Sequence, residues 1–146
     1  MRVYRGEVYL VDFGIGYGSE QGGVRPAVIV QNNIGNKYSP TTIVVPVTSR
    51  QTKAHIPTHV RVKGACLTKK SLALTEQVAT IDKRRIIRKM GNIKLKSLFK
   101  IGTALMIGLG LNNNKIKVTI QNDKNLYTCT KEILKYRIAG LRMKKV

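Results

Sequence analysis

The chain has 146 residues, enough for one domain with its own core and too few for two ordinary domains. Its 27 Lys and Arg residues against 7 Asp and Glu give a formal net charge of +20, so a polyanionic partner is expected. Its two cysteines, Cys66 and Cys129, have no Cys-x-x-Cys spacing, which argues against a disulfide framework and favours free thiols in a reducing compartment.

The sequence contains no segment typical of secretion or of a membrane span. Charged residues interrupt the N-terminal region at Arg2, Arg5, Glu7 and Asp12, which leaves no apolar core for a signal peptide. The longest apolar stretch, 101–111, has about half the length that a membrane-spanning helix needs. We therefore expect a cytoplasmic protein without a membrane partner.

Six segments have the alternating or short continuous apolar pattern that is typical of strands. They are 3–13, 27–31, 41–48, 58–63, 72–81 and a short one around 85–90. Between the second and third, 32–40 has turn chemistry with room for one helical turn. Pro46 inside the third segment indicates a bulge or an unpaired N–H at that point.

The pattern changes over 94–109, where apolar residues recur at helical spacing. Leu98, Leu105 and Leu109 lie on one stripe of this segment, and Asn92 is its expected N-cap. Short strands followed by one amphipathic helix predict a mainly β fold, a small twisted antiparallel sheet or half-open barrel with a C-terminal helix packed against it.

Residues 112–146 follow a run of three asparagines and form a basic extension. This segment has 9 basic and 2 acidic side chains, a net charge of +7. Segment 115–121 alternates like a strand, 122–125 has turn chemistry, and 126–133 is either a partner strand or the start of a helix. The extension is therefore either an added hairpin or a basic segment that becomes ordered on a polyanion.

The most informative segment is the glycine-rich loop at 18–26, which leads into the apolar run 27–30. Its three glycines allow positive φ and close approach to a ligand, and Arg25 stands where the loop becomes rigid. Arginine offers a planar fork of donors that matches a phosphate, and it stays charged at physiological pH. Arg25 therefore either stabilises charge on a phosphodiester or forms a structural salt bridge with Glu20 or Asp12.

Two further side chains are candidates for chemistry near this loop. Glu20 is the loop's one carboxylate, so it is either an internal hydrogen-bond acceptor, a proton acceptor or a group that orients Arg25. Thr48 ends a β-branched strand, where threonine is ordinary, but its hydroxyl could donate to a phosphoryl oxygen. Ser49 is a weaker neighbour of Thr48.

The histidines do not predict a metal site. His55 and His59 have the His-x-x-x-His spacing that can bind zinc on a helix, but Pro57 lies between them and the surroundings are extended. We expect neither a metal nor a cofactor.

Several of these segments together resemble the MazF/PemK toxins, the ribonuclease halves of bacterial toxin–antitoxin pairs. The matching blocks are 5–9, 18–26, 31–33, 39–41, 47–49, 74–77 and 80–83, in the family's order and spacing. The resemblance covers about residues 1–111 and indicates a toxin domain there, whereas 112–146 match nothing in that family.

The resemblance implies an SH3-like barrel that forms a homodimer, cleaves single-stranded RNA and is blocked by an acidic antitoxin. In such enzymes the ribose 2′-hydroxyl attacks the adjacent phosphate, which leaves a 2′,3′-cyclic phosphate and a free 5′-hydroxyl. By the same resemblance Arg25 and Thr48 match catalytic positions and Glu20 matches one needed for activity. The candidate RNA contacts are Tyr17, Ser19, Gln21, Ser49, His59 and Gln77.

Two other functions fit parts of the sequence. CcdB toxins share this fold and poison DNA gyrase by binding, but they use a C-terminal tryptophan, and this chain has no Trp. A non-catalytic RNA-binding barrel would need only the basic surface and the extension. Incubation with a long single-stranded RNA in EDTA separates both from a metal-independent ribonuclease.

Overall fold

The computed structural model describes residues 1–50, 56–67 and 69–111, together with the backbone of 118–120 and 127–129. Within 1–111 the strands are β1 Glu7–Asp12, β2 Val24–Ile29, β3 Thr41–Thr48, β4 His59–Val62, β5 Ser71–Leu74, β6 Ala79–Asp82 and β7 Ile86–Asn92. The α-helices of this part are α1 Asn33–Tyr38 and α2 Leu95–Gly108.

The sheet closes on itself into a small barrel. Its strand order is β4-β5-β3-β2-β1-β7, and β6 also pairs with β3. A bridge between Gly64 and Ile93 lies just beyond the ends of β4 and β7 and joins the first strand of this order to the last. The Ala65 N–H donates to the Asn92 carbonyl at 2.7 Å across the same seam. Closure of this kind leaves few unpaired strand edges.

β3 has two partners on one side. Thr41–Val44 pairs with β6, and Val47–Thr48 pairs with β5. On its other side β2 places Ala27 opposite Pro46. Pro46 therefore lies between the part of β3 that pairs with β6 and the part that pairs with β5. Neither of these ladders includes this position, which suits a residue without an N–H.

Alternate residues of the central strands enter two groups of buried side chains, as expected for the two faces of a sheet. One group includes Val8, Val28 and Val45 and is covered by the α2 residues Leu98, Ile101 and Ala104. The other includes Val11, Ile29 and Val44. Full burial of a side chain such as Ile101 contributes about 1.5–3 kcal/mol to stability.

The predicted fifth strand over 72–81 is wrong as a single element. The structure divides it into β5, a 3₁₀ turn at Thr75–Gln77, and β6. Thr75 anchors the break, because its hydroxyl donates to the Thr58 carbonyl at 2.8 Å and its N–H donates to the same oxygen at 3.1 Å. The break allows β5 to pair with the end of β3 and β6 to pair with its beginning, so the chain turns the corner of the barrel.

The boundaries of two other elements also differ from prediction. The first strand begins at Glu7 rather than at residue 3. Asn92 is the last residue of β7 and not a helix cap; the N-cap of α2 is Lys94, which makes no side-chain capping hydrogen bond. The seam at Ala65 and Asn92 explains the difference, because it keeps the chain extended as far as Ile93.

Beyond the barrel, β8 (Val118–Ile120) and β9 (Tyr127–Cys129) form a two-stranded antiparallel sheet with Val118 opposite Cys129. They fall within 115–121 and 126–133, and the predicted turn at 122–125 lies outside the described residues. In the part of the chain that the structure describes, no helix is long and apolar enough to cross a membrane.

Candidate active site

The loop between β1 and β2 is folded tightly by contacts between its own glycines. A Cβ added to Gly22 would lie 2.4 Å from the Gly16 nitrogen, and one added to Gly16 would lie 2.7 Å from the Glu20 carbonyl oxygen. The Gly23 N–H donates to the Gly14 carbonyl at 2.7 Å and closes the base of the loop. Only glycine allows this approach, so the loop path up to Arg25 is determined by the sequence.

This loop holds the Arg25 guanidinium by three hydrogen bonds. Nε donates to the Gly22 carbonyl at 2.8 Å, Nη2 donates to the same oxygen, and Nη1 donates to Oε1 of Gln21. A guanidinium has five N–H groups, so one N–H on each terminal nitrogen remains without an acceptor among the described residues. Those two can bind an anion in the adjoining cavity.

The described residues do not form the other interaction expected for Arg25, a salt bridge with Glu20 or Asp12. Glu20 Oε2 accepts from the Tyr17 N–H at 3.0 Å, and Asp12 Oδ1 accepts from the Gly14 N–H at 2.8 Å. Both carboxylates therefore act as acceptors within the loop. Of the three roles expected for Glu20, the structure shows that of an acceptor within the loop. The side chain that orients Arg25 directly is Gln21.

Strand register brings Thr48 to Arg25. The β2–β3 ladder ends at the pair Ala27–Pro46, and Arg25 and Thr48 each stand two residues beyond that pair, at neighbouring ends of the two strands. The Thr48 Oγ1 accepts from the Arg50 N–H at 3.1 Å. A hydroxyl has one donor as well as two acceptor sites, so the Thr48 O–H, which has no acceptor within the described ranges, can donate to a ligand.

Arg25 and Thr48 lie in the wall of an open cavity of about 760 Å³. Eight of the nine predicted site residues line this cavity: Ser19, Glu20, Gln21, Arg25, Thr48, Ser49, His59 and Gln77. The ninth, Tyr17, lies nearby in the same loop but with 86% of its surface exposed, outside the lining. The structure thus brings together residues from four separate parts of the chain: the glycine-rich loop, the end of β3, β4 and the 3₁₀ turn.

The opposite wall is formed by β4 and the 3₁₀ turn. His59 Nε2 lies 2.8 Å from Oε1 of Glu76, and the two side chains are 9% and 34% exposed. Gln77 Nε2 donates to the Ser19 carbonyl at 3.4 Å and so links this wall to the glycine loop. His59 is therefore more enclosed than a half-exposed strand residue, because Glu76 covers it.

Two charged lining residues, Arg50 and Glu76, were not among the predicted site residues. Arg50 follows Thr48 by two positions in a basic protein, and nothing in the sequence separates it from the other surface arginines. Glu76 stands in a matching block, but its pairing with His59 depends on the break between β5 and β6.

No metal-binding group is formed by the part of the chain that the structure describes, which contains no cluster of three or more His, Cys, Asp or Glu side chains suited to a metal ion. His59 is occupied with Glu76 there, and His55 lies outside the described residues.

Comparison with known proteins identifies the family. Residues 4–109 match the family model described as PemK-like, MazF-like toxin of type II toxin–antitoxin system. A curated relative, Endoribonuclease MazF of Staphylococcus epidermidis, is 50% identical over 113 residues, which are 76% of this chain and 94% of the relative.

Solved structures agree in fold. MazF (Form-I) from Deinococcus radiodurans superposes with a TM-score of 0.66 at 25% identity, over 75% of this chain and 98% of that one. An endoribonuclease from mycobacterial species, solved in complex with its cognate antitoxin, has a TM-score of 0.62 at 28% identity, over 75% and 97%. The predicted fold class, an SH3-like barrel with a C-terminal helix, is confirmed. The chain therefore belongs to the PemK-like, MazF-like toxin family of type II toxin–antitoxin systems.

Proposed function

We propose that this protein is an endoribonuclease toxin that cleaves single-stranded RNA without a metal ion. The observation that carries the proposal is that Arg25 and Thr48 lie together in the wall of a cavity open to solvent. The match to Endoribonuclease MazF and the net charge of +20 support an RNA substrate.

In the proposed reaction the ribose 2′-hydroxyl attacks the adjacent phosphorus while the bond from phosphorus to the 5′-oxygen breaks. The departing 5′-oxygen takes up a proton from water, and the products are a 2′,3′-cyclic phosphate and a 5′-hydroxyl. The two N–H groups of Arg25 that the loop leaves without an acceptor bind the phosphoryl oxygens, and Thr48 donates a further hydrogen bond. Fixed donors directed at charge that develops in the transition state are among the largest contributions to catalysis.

Glu20 is the proposed acceptor of the 2′-hydroxyl proton. Its carboxylate lines the same cavity, and only its Oε2 is engaged by a described residue, the Tyr17 N–H. The other oxygen can therefore reach a ligand while the loop stays closed. Ser19, Ser49, His59 and Gln77 then contact the RNA chain, with Tyr17 at the rim, and Gln21 contributes through Arg25.

The proposal extends to partners. The net charge of +20 favours an acidic antitoxin as well as RNA, and the mycobacterial relative was solved with its cognate antitoxin. Family membership further implies a homodimer that acts in the cytoplasm. Residues 112–146 form a basic extension beyond the toxin domain at 1–111.

The test is incubation of the purified protein with a long single-stranded RNA in excess EDTA, followed by analysis of the new ends. We expect defined cleavage products with cyclic phosphate and 5′-hydroxyl ends. RNA that is bound but left intact would indicate a non-catalytic RNA-binding barrel. Cleavage abolished by EDTA and restored by a divalent ion would contradict the metal-independent mechanism.

A further inference from the structure

A second cavity, of about 330 Å³, adjoins the first at Arg25 and Thr48. Arg25, Thr48 and Ser49 line both cavities, and no other described residue lines both. A phosphate held by Arg25 and Thr48 therefore has space on both sides, and a chain that passes through this point extends into each cavity.

The smaller cavity has a wall that the backbone holds in place. Cys66 and Leu67 stand on the turn after β4, which lies against β7: the Cys66 N–H donates to the Met90 carbonyl at 3.1 Å. Next to this contact, a Cβ added to Gly91 would be 3.1 Å from the Ala65 Cα, and the φ of Gly91 is +126°. The wall therefore forms before any ligand arrives, which lowers the entropic cost of binding.

The two cavities differ in chemistry. The smaller one has a mixed lining: Pro26, Leu67 and Met90 supply apolar surface beside the polar groups of the shared residues, Lys69 and Ser71. Its described lining residues include no carboxylate or amide side chain. Its Ser71 hydroxyl already donates to the Lys69 carbonyl at 2.9 Å. The larger one contains the hydrogen-bonding side chains of Glu20, Gln21, Glu76 and Gln77, together with His59.

We propose that the smaller cavity is a nucleotide subsite that binds the base on one side of the scissile phosphate by packing and with little choice of base. Base identity is then read on the other side of the cut, by the larger-cavity groups that have no part in the reaction itself, Glu76, Gln77 and His59. Apolar packing against the face of a base tolerates any base, whereas a hydrogen-bonding site rejects the wrong partner strongly. Lys69 neutralises the phosphate next to the packed base. This inference rests on the proposed ribonuclease function.

The first experiment fills the subsite. Cys66 is exposed at the cavity, so Cys66→Trp places a large side chain there without disturbing the core. The matched control is Ile87→Trp, at an exposed position of β7 that lines neither cavity. We expect Cys66→Trp to raise the KM for RNA about tenfold or more with a smaller change in kcat, and Ile87→Trp to behave as the unaltered protein.

The second experiment identifies the occupant. Substrates carry an abasic nucleotide at one position next to the cut, either immediately before or immediately after the scissile phosphate. With the abasic position in the subsite, the KM difference between Cys66→Trp and the unaltered protein should disappear. At that same position, exchange among the four bases should change kcat/KM less than about threefold, while exchange on the other side should change it at least about tenfold.

The outcomes separate this inference from the proposed function. If the unaltered protein does not cleave RNA, the proposed function itself is wrong. If it cleaves RNA but Cys66→Trp and Ile87→Trp have the same KM, or the KM difference persists with both abasic substrates, no base occupies the smaller cavity. Strong base discrimination at the flank that occupies this cavity would also overturn the inference.

Discussion

The side-chain oxygen of Gln21 accepts a hydrogen bond from Nη1 of Arg25, four residues along the same loop. The Gly22 carbonyl accepts from Nε and Nη2 of the same side chain. Together these contacts fix the plane of the guanidinium before RNA binds. The sequence suggested Gln21 as a direct RNA contact. Because its oxygen is engaged by Arg25, we propose that Gln21 acts through Arg25.

The first prediction concerns this contact. Gln21→Met keeps the length of the side chain but removes the acceptor. Because a hydrogen bond to a charged group contributes about 1.5–3 kcal/mol, we expect kcat to fall about 10- to 100-fold. The control is Gln31→Met, since Gln31 lines neither cavity.

A double-mutant comparison distinguishes positioning from direct binding. In an Arg25→Ala background, Gln21→Met should leave the affinity for an uncleavable RNA unchanged, because the residue it positions is gone. An equal loss of affinity with and without Arg25 would mean that Gln21 contacts RNA itself.

The second prediction concerns Glu20, whose loop contact and proposed proton transfer can be separated. Glu20→Gln retains an acceptor oxygen for the Tyr17 N–H but loses the basicity of the carboxylate. We expect the melting temperature to stay within error while the cleavage rate falls by about 10²–10⁴. A variant that melts normally and cleaves at the unaltered rate would show that Glu20 serves only to shape the loop.

The third prediction concerns a buried acid on β1. Glu7 accepts from the Tyr9 hydroxyl at 2.9 Å and from the Tyr4 N–H at 2.7 Å, and it pairs with Lys89. Tyr9→Phe removes a donor from this buried carboxylate and should destabilise the fold by about 1–3 kcal/mol. Tyr38→Phe is the control, since Tyr38 is exposed. Denaturant unfolding of both variants measures the difference.

The same pair gives a pH dependence. Burial first, and then the hydrogen bond and charge of Glu7, raise the pKa of Tyr9 well above its ordinary value. A raised folded-state pKa adds stability that is fully present below the unfolded value, near 10.0, and is lost as the pH rises above it. The stability difference between the unaltered protein and Tyr9→Phe should therefore shrink at alkaline pH; a constant difference would contradict this assignment.

The fourth prediction concerns residues 112–146, with their net charge of +7. We expect deletion of this segment to leave cleavage intact and to weaken RNA binding. For single strands, each lost contact between a lysine and a phosphate should reduce the slope of log affinity against log salt concentration by roughly 0.7. If the truncated protein instead shows an unchanged salt slope and a sharply lower melting temperature, the extension is part of the fold.

Much of this architecture follows from local pattern. Alternation predicted the β-rich barrel, helical spacing predicted α2 nearly to its ends, and Thr41–Thr48 was predicted with its observed bounds. The break at Thr75–Gln77 was missed, because apolar residues continue on both sides of it and only the contacts of Thr75 with the distant Thr58 carbonyl show the corner.

The site was predictable as a set of residues but not as a set of contacts. The glycine loop and the resemblance indicated Arg25, Glu20 and Thr48, whereas the bond from Arg25 to Gln21 depends on the path forced by the contact of Gly16 with Gly22. The pairing of His59 with Glu76 joins residues 17 positions apart across a corner that the sequence did not reveal. The catalytic roles themselves remain predictions.

The most direct test of the central claim compares two RNAs that differ in one atom. The substrate carries either ribose or 2′-deoxyribose on the 5′ side of the cleaved phosphate, and cleavage is measured in EDTA by the unaltered protein and by folded Arg25→Ala. We expect the deoxy substitution to abolish cleavage at that bond and Arg25→Ala to lower the rate on the ribose substrate by about two to three powers of ten. Cleavage of the deoxy substrate, or near-normal cleavage by folded Arg25→Ala, would contradict the proposed mechanism.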